Sequence, residues 1–173
     1  MSIKSKQLDH QTSIIFKNIK FIVFDFDGVF TDNSVYITQD GKEMVKCSRY
    51  DGIGLKNLET QGIDKIVISS EKNPLVKNRC KKMNIECYDS VENKFSLLLK
   101  IIERKNLQIT QVAFMGNDIN DLECLSKVGL PIVVKNCHPK LIKIAKYITE
   151  TDGGNGAVRE VCDHLTNQKD QVE

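Results

Sequence analysis

The chain has 173 residues, of which 40% are hydrophobic and 28% charged, with a formal net charge of +2. Length and hydrophobic content together fit one domain with a sizeable core. The nearly balanced charge, the 6% aromatic content and the lack of Trp give no basis for a nucleic-acid partner. No apolar stretch approaches the roughly 20 residues that span a bilayer, and residues 1–18 lack the apolar core of a signal peptide, so we expect a cytoplasmic protein without a membrane partner.

The hydrophobic pattern divides the chain into an N-terminal extension at 1–18, a folded domain at 19–166 and a C-terminal tail at 167–173. Predicted elements follow one another in this order: a strand at 21–24, a hairpin at 33–48, a helix from 51 to about 62, a strand at 65–69, a helix at 74–83, a strand at 86–88, a helix from 94 through 102, a strand at 112–115, a helix at 121–127, a strand at 131–134, a helix at 139–146 and a helix at 157–165. Alternation of this kind predicts an α/β fold with a doubly wound, mostly parallel, Rossmann-like sheet. The hairpin prediction rests on Asp40-Gly41, a turn pair between two short β-rich runs.

Polar side chains follow three of the predicted core strands. They are Asp25 and Asp27 after the first, Ser69 after the second, and Asn117, Asp118 and Asp121 after the third, while Lys94 begins a helix between the last two groups. Because the carboxyl ends of parallel strands share one edge of the sheet, we expect these groups to converge. Carboxylates, a hydroxyl and an ammonium together supply what phosphoryl transfer requires, and the hard oxygen ligands favour Mg²⁺ over zinc.

The residue types predict distinct roles within that cluster. Asp25 is the candidate nucleophile, which forms an aspartyl-phosphate intermediate, and Asp27 is the candidate general acid. Ser69 and Lys94 are the remaining catalytic candidates, because a hydroxyl and an ammonium hold phosphate oxygens. Asp25, Asp27, Asn117, Asp118 and Asp121 together supply oxygen donors for a divalent cation.

These residues resemble, in chain order, the four motifs of the haloacid dehalogenase (HAD) superfamily: Asp25-x-Asp27-Gly28-Val29, Ser69, Lys94 and Gly116-Asn117-Asp118-x-x-Asp121. The chain is most similar to the small capless phosphatases of 2-keto-3-deoxy sugar acids, the 3-deoxy-D-manno-octulosonate 8-phosphate phosphatase type. That similarity extends to Asp51-Gly52-x-Gly54, Arg79-Cys80 and the segment 153–160. It implies a HAD-like sheet with a small hairpin insertion and no large cap domain. It also implies Mg²⁺ held by Asp25, the backbone carbonyl of Asp27 and Asn117, with Asp118 and Asp121 as further candidate ligands. The same similarity implies a phosphosugar acid as substrate and a homotetramer in which a neighbouring subunit covers the active site.

Three positions depart from the octulosonate pattern. Asn117 stands where much of the family has aspartate, Tyr50 stands where an arginine precedes the Asp-Gly pair, and Ser70-Glu71-Lys72 replaces a Gly-Arg sequence. The Glu-Lys pair resembles phosphatases of N-acylneuraminate or KDN 9-phosphates and the HAD domains linked to acylneuraminate cytidylyltransferases. Because glutamate in place of arginine reverses the local charge, the sequence favours a nine-carbon sugar acid over the eight-carbon one.

The substrate-binding candidates are charged or backbone-exposing residues outside the four motifs: Arg49, Asp51, Gly52, Ser70, Glu71, Arg79 and Arg159. Arg79 and Arg159 suit ordinary solvated helix positions equally well. A different function also fits the sequence, namely a non-catalytic or weakly active module that serves oligomerisation or regulation of an acylneuraminate cytidylyltransferase. Asn117 favours that alternative, whereas the presence of Asp25, Asp27, Ser69 and Lys94 favours an enzyme. For such an enzyme we expect a place in surface-sugar or lipopolysaccharide biosynthesis.

Overall fold

The structure is a computed structural model that describes residues 8–170. Its elements, in chain order, are α1 (His10–Asn18), β1 (Phe21–Phe24), β2 (Thr31–Ile37), β3 (Glu43–Cys47), α2 (Tyr50–Thr60), β4 (Asp64–Ile68), α3 (Pro74–Lys82), β5 (Glu86–Tyr88), α4 (Lys94–Arg104), β6 (Val112–Gly116), α5 (Leu122–Lys127), β7 (Leu130–Val133), β8 (Tyr147–Ile148) and α6 (Ala157–Asp170), with 3-10 turns at Ile109–Gln111, Ile119–Asp121 and Pro139–Leu141. None of the helices within 8–170 is long and apolar enough to cross a bilayer.

Six strands form one parallel sheet in the order β5-β4-β1-β6-β7-β8. The chain leaves β1 toward β4 on one side and later returns to β6 on the other side, so the strand order reverses at β1. In open α/β sheets, this reversal opens a crevice at the carboxyl ends of the strands, where ligands bind. The antiparallel pair of β2 and β3 is a separate hairpin. The predicted α/β sheet with a hairpin insertion is confirmed.

The core lies on both faces of the sheet because successive side chains of a strand point to opposite faces. In β1, Ile22 and Phe24 pack into the layer that contains α2 and α6, whereas Phe21 and Val23 pack into the layer that contains α4 and α5. All four side chains are fully buried. A central strand that is covered on both faces reads as a continuous apolar run, which explains the sequence of β1.

The predicted helix at 139–146 is wrong. Only Pro139–Leu141 forms a 3-10 turn, and Tyr147–Ile148 forms β8, an edge strand that the sequence analysis did not predict. The backbone N–H of Lys146 donates to the carbonyl of Pro131 at 2.9 Å. That bond joins the chain to the sheet edge before a second helical turn forms.

The helix α1 falls within the predicted N-terminal extension and was not predicted. The ring of Phe16 is fully buried and lies edge-on against Tyr147 and His164, with ring centroids 5.5 and 6.0 Å apart. At the other end, α6 continues from the predicted domain to Asp170, beyond the predicted start of the tail. The division at 1–18, 19–166 and 167–173 stays a prediction, but both flanking parts contain helix.

We expect Phe16→Ala to lower the free energy of unfolding by roughly 3–5 kcal/mol, because it removes a fully buried ring and leaves a cavity. The matched control is Ile14→Ala, which truncates a side chain that is 48% exposed on the same helix. Urea denaturation followed by circular dichroism measures both. Equal, small losses for the two variants would show that α1 does not contribute to the stability of the domain.

Candidate active site

The loop after β1 carries the two acids of the first motif. The Asp25 N–H donates to the carbonyl of Met115, and its Oδ1 accepts from the Phe26 N–H at 2.7 Å, so the carboxylate is held against the backbone. Gly28 has φ +77°, and a Cβ there would lie 1.9 Å from Nδ2 of Asn117. The loop therefore needs glycine both for its left-handed backbone and for the close approach of the Asn117 side chain, which follows β6.

A buried ammonium joins two carboxylates behind this loop. The Nζ of Lys94, at the first turn of α4, lies 2.8 Å from Oδ1 of Asp25 and 2.8 Å from Oδ1 of Asp121. All three residues are at most 4% exposed. Burial by itself lowers the pKa of Lys94, but the two carboxylates outweigh it and the pKa is raised, so the ammonium stays charged.

Burial also acts on the nucleophile candidate. It raises the pKa of Asp25, the negative charge of Asp121 raises it further, and Lys94 opposes both effects. The pKa of Asp27 is raised first by burial and then by the nearby charge of Glu71. A half-buried carboxyl with a raised pKa holds its proton better, which suits the predicted general acid.

Asp121 does not line the catalytic cavity. Its Oδ1 accepts from Lys94, and its Oδ2 accepts the backbone N–H groups of Asn117 at 2.9 Å and Asp118 at 3.4 Å. Both oxygens are thus engaged by the protein. The geometry gives Asp121 the task of holding Lys94 and the loop after β6, and its predicted ligation of a metal finds no support in its position.

The catalytic cavity has a volume of about 430 Å³ and lies at the carboxyl ends of β1, β4 and β6. Its lining consists of polar residues and one isoleucine: Asp25, Asp27, Asn33, Ser69, Ser70, Glu71, Asn117, Asp118, Ile119 and Asn120. The predicted groups from three strands do converge there. Asn33, Ile119 and Asn120 were not predicted as site residues. Their signals in the sequence are their positions at the start of the hairpin and inside the last motif.

The loop after β4 is fixed by its own hydrogen bonds. The Ser69 N–H donates to the carbonyl of Tyr88 at 2.8 Å, and its Oγ accepts from the Glu71 N–H at 3.0 Å. The hydroxyl of Ser70 donates to the carbonyl of Val91. These bonds hold the Ser69 hydroxyl at the cavity wall.

The cavity offers mixed oxygen donors for a cation. Among residues 8–170, no three carboxylate, imidazole or thiol side chains converge as a metal cage. The residues that line the cavity include candidate donors in the Asp25 carboxylate, the backbone carbonyl of Asp27 and the amide oxygen of Asn117, all of them hard oxygens. This donor chemistry fits Mg²⁺, which takes oxygen ligands and keeps several waters.

Comparison with known proteins matches this geometry to a family. The model of the haloacid dehalogenase-like hydrolases matches residues 2–161. The chain belongs to that family. It is 36% identical over 150 residues to the 3-deoxy-D-manno-octulosonate 8-phosphate phosphatase of Salmonella typhi, covering 86% of this chain and 80% of the relative.

Solved structures agree with the sequence relatives. The phosphatase of the same description from Yersinia pestis superposes with a TM-score of 0.89 at 31% identity, covering 94% of this chain and 89% of that one. The enzyme from Moraxella catarrhalis, in complex with magnesium ion, phosphate ion and KDO (3-deoxy-D-manno-octulosonate), superposes with a TM-score of 0.90 at 27% identity, covering 95% of each chain. The predicted superfamily and its phosphatase activity are confirmed, and Mg²⁺ is the cofactor of HAD phosphatases.

Three predicted substrate residues of this HAD hydrolase lie away from the catalytic cavity. Arg49, Gly52 and Arg79 line a separate open cavity of about 780 Å³ between α2 and α3, together with Lys56 and Lys82. The guanidinium of Arg79 donates from one terminal nitrogen to the carbonyl of Ser48 at 2.8 Å, while its buried Nε has no partner among the described residues. Only Ser70 and Glu71, of the predicted substrate set, face the catalytic cavity of the same chain.

Asp51 and Arg159 lie at the contact of α2 with α6. Oδ1 of Asp51 accepts the Arg159 N–H at 3.3 Å, and Oδ2 is buried without a partner in the described part of the chain. The Arg159 side chain instead pairs with Asp163 at 2.7 Å. Neither residue lines the catalytic cavity, so their geometry supports helix packing, and substrate binding remains a prediction.

We expect Asp51→Asn to stabilise the protein more at pH 8 than at pH 5. Burial raises the pKa of Asp51 to about 7, so the folded state binds a proton that the unfolded chain has released, and wild-type stability falls as the pH rises from about 4 to 7. Asparagine removes that charge, and its amide oxygen can still accept the Arg159 N–H. We therefore expect the free energy of unfolding of Asp51→Asn at pH 8 to exceed that of the wild type by roughly 1–4 kcal/mol. Urea midpoints at both pH values measure it, and an equal effect at pH 5 and pH 8 contradicts the buried-charge explanation.

Proposed function

We propose that this hydrolase removes phosphate from 3-deoxy-D-manno-octulosonate 8-phosphate through an aspartyl-phosphate on Asp25. The observation that carries the proposal is the buried pairing of Lys94 with Asp25 and Asp121 at the end of a cavity lined by Asp27 and Ser69. A carboxylate that lies at such a position, with a second acid two residues away, is equipped for phosphoryl transfer.

The reaction divides into two steps on these residues. In the first, a carboxylate oxygen of Asp25 forms a bond to phosphorus, the bond from phosphorus to the sugar oxygen breaks, and Asp27 donates its proton to the departing alkoxide. In the second, Asp27 takes a proton from water, the water oxygen bonds to phosphorus, and the carboxylate of Asp25 leaves. Lys94 and the Ser69 hydroxyl offset the negative charge of the phosphoryl oxygens.

Mg²⁺ would be held by the Asp25 carboxylate, the Asp27 carbonyl and the Asn117 amide. When bound, it supplies a positive charge that neutralises the phosphate oxygens. Because Asn117 is neutral where much of the family has aspartate, the site binds the cation with one negative charge fewer. Asp118, whose side chain caps the 3-10 turn beside the cavity and accepts from the Ile119 N–H, is the nearest exposed carboxylate of that loop.

The eight-carbon substrate replaces the nine-carbon preference of the sequence analysis. The relatives at 36% identity carry the octulosonate name over 86% of this chain, and the comparisons do not support a sialic-acid substrate. Glu71 lines the cavity as expected, but its carboxylate oxygen Oε1 accepts the backbone N–H groups of Lys72 and Asn73. These hydrogen bonds show that one carboxylate oxygen of Glu71 stabilises its own loop. The non-catalytic alternative likewise has no support from the comparisons.

We further propose that the active unit is a homotetramer joined through the β2–β3 hairpin. The hairpin exposes Val35, Tyr36, Ile37 and Met44, each more than half accessible. Tyr36 lies opposite Met44 on one face of the hairpin, and Val35 and Ile37 lie on the other. Exposed apolar side chains on a small hairpin of this kind mark an interaction surface. A neighbouring subunit over the catalytic cavity also gives Arg49 and Arg79 a route to substrate, since they do not line the cavity of their own chain.

The test of the proposed function is hydrolysis of the octulosonate 8-phosphate with and without Mg²⁺. We expect Asp25→Asn to lower kcat by at least about 10³-fold, because the amide is a poor nucleophile, and chelation of the metal to abolish turnover. Asp64→Asn is the matched control, since Asp64 lies at the opposite end of the sheet in a surface pair with Lys105. The proposal is wrong if the folded, Mg²⁺-loaded wild type does not hydrolyse this ester. If its kcat/KM is higher on a nonulosonate 9-phosphate, that ester is the substrate instead.

Light scattering tests the proposed assembly. We expect the wild type to have about four times the chain mass of 19.6 kDa, and Ile37→Lys to reduce that mass because it places a charge in the apolar interface. The matched control Ile142→Lys changes a 49% exposed isoleucine outside the hairpin and leaves the mass unchanged. A monomeric wild type, or an Ile37→Lys protein of undiminished mass, contradicts the hairpin interface.

A further inference from the structure

A second cavity of about 220 Å³ adjoins the catalytic cavity. It lies between the hairpin and the start of α3, and the two cavities share Asp27, Asn33 and Glu71. Asp27 is the residue that faces the leaving oxygen in the proposed reaction. The part of a phosphate ester that departs with that oxygen therefore has this adjoining cavity next to it.

The lining of the second cavity combines acids with an apolar wall. Glu43 and Glu71 contribute carboxylates, Asn73 contributes an amide, and Val45 and Leu75 contribute apolar surface. Carboxylates and amides hydrogen-bond sugar hydroxyls, but two acids repel a further carboxylate. The cavity thus suits the hydroxylated, uncharged portion of a sugar acid and excludes its carboxylate end.

One hydrogen bond joins the two walls of this cavity. Nδ2 of Asn73, at the start of α3, donates to Oε2 of Glu43 on β3 at 2.8 Å. The other side of the amide, Oδ1, accepts the Leu75 N–H at 3.0 Å and so caps α3. The two ends of a single side chain thus carry separate tasks, the cap of the helix and the bond to the hairpin.

The α3 side of that bond is anchored to the catalytic wall. The hairpin is also joined to the segment before α6, because Nζ of Lys46 on β3 donates to Oδ1 of Asn155 at 2.9 Å. The Asn73 N–H donates to Oε1 of Glu71, and the Glu71 N–H donates to the Ser69 Oγ, so the loop is continuous with the catalytic wall. The hairpin forms its own two-stranded sheet, separate from the six-stranded one. The Glu43–Asn73 bond joins the hairpin directly to the loop that carries Ser69.

We propose that Glu43 and Asn73 form a specificity-determining contact that sets the width of the leaving-group cavity. This inference rests on the proposed phosphatase function, and it identifies the part of the site that recognises the sugar. Neither residue acts on the phosphorus; both are positioning residues. Loss of the contact therefore impairs esters with a bulky sugar far more than esters with a small leaving group.

The chain permits a test that separates the hairpin bond from the helix cap. Asn73→Asp keeps an N-cap oxygen for the Leu75 N–H but replaces the donor with a carboxylate facing Glu43. Glu43→Gln keeps an acceptor for Asn73. The double variant Asn73→Asp with Glu43→Gln restores one hydrogen bond with donor and acceptor exchanged, because the new glutamine amide donates to the new aspartate.

We expect Asn73→Asp to lower kcat/KM for the sugar ester about tenfold, mainly through KM, because a charge-assisted hydrogen bond is replaced by repulsion. The loss on p-nitrophenyl phosphate is at least threefold smaller, and the double variant recovers most of the sugar-ester activity. Asp40→Ala, which removes a carboxylate from the hairpin tip outside both cavities, leaves both activities unchanged. Amide hydrogen exchange of residues 35–46 reports the hairpin directly, faster in Asn73→Asp and slower again in the double variant.

Equal losses on both esters, or no recovery in the double variant, overturn the specificity role. An inactive wild type on the octulosonate 8-phosphate is a failure of the proposed substrate instead. In that case the same variants are compared on whichever sugar phosphate the wild type hydrolyses fastest and on p-nitrophenyl phosphate. The ratio of the kcat/KM losses on those two esters then tests the role of the contact, whichever sugar the wild type prefers.

Discussion

The active site depends on the placement of one ammonium between two buried carboxylates. Lys94 lies 2.8 Å from both Asp25 and Asp121, and all three are almost inaccessible to water. A buried charge without a partner costs several kcal/mol, so any one of the three would be unfavourable without the others. Their mutual dependence holds the amino end of α4 against the carboxyl ends of β1 and β6, and the site and this part of the fold are therefore one arrangement.

The reversal of strand order at β1 turns that arrangement into a cavity. Because β4 and β6 flank β1, the loops after these strands separate above it, and Ser69 and Asn117 face Asp25 across the gap. The glycine at position 28 allows the amide of Asn117 to lie directly against the backbone of the loop that carries Asp25. A bulkier residue there would move the amide away from the oxygen cluster that suits a cation.

The charges of the molecule are separated by function. Acids predominate around the catalytic cavity and the adjoining second cavity, while four basic residues and one acid, Glu59, line a different cavity on the α2–α3 side: Arg49, Lys56, Arg79 and Lys82. A sugar acid phosphate is negative at both ends. Within one chain, the acidic cavities can serve only the phosphate, with its cation, and the neutral hydroxyls. In the proposed tetramer, the basic residues of one subunit would be able to bind the carboxylate of a substrate held by its neighbour. The proposed substrate and the proposed tetramer therefore depend on each other.

The sequence alone was sufficient for the order of the core strands and helices, the hairpin and the reaction class. These depend on local signals: a fully apolar strand before Asp25, the Asp40-Gly41 turn, and four motifs. The order of the motifs along the chain does not depend on how the side chains pack. The positions of Ser69 and Lys94 followed for the same reason, since each directly follows a strand or begins a helix.

Tertiary structure decided which polar residues face the substrate. Asp121 belongs to the same motif as Asn117, yet the 3-10 turn at Ile119–Asp121 directs it to Lys94 and away from the cavity. Likewise α1 depends on the contact of Phe16 with rings more than 100 residues later in the chain, and β8 depends on a backbone bond to Pro131. Such contacts join residues that are distant in sequence, so composition, periodicity and spacing carry no trace of them.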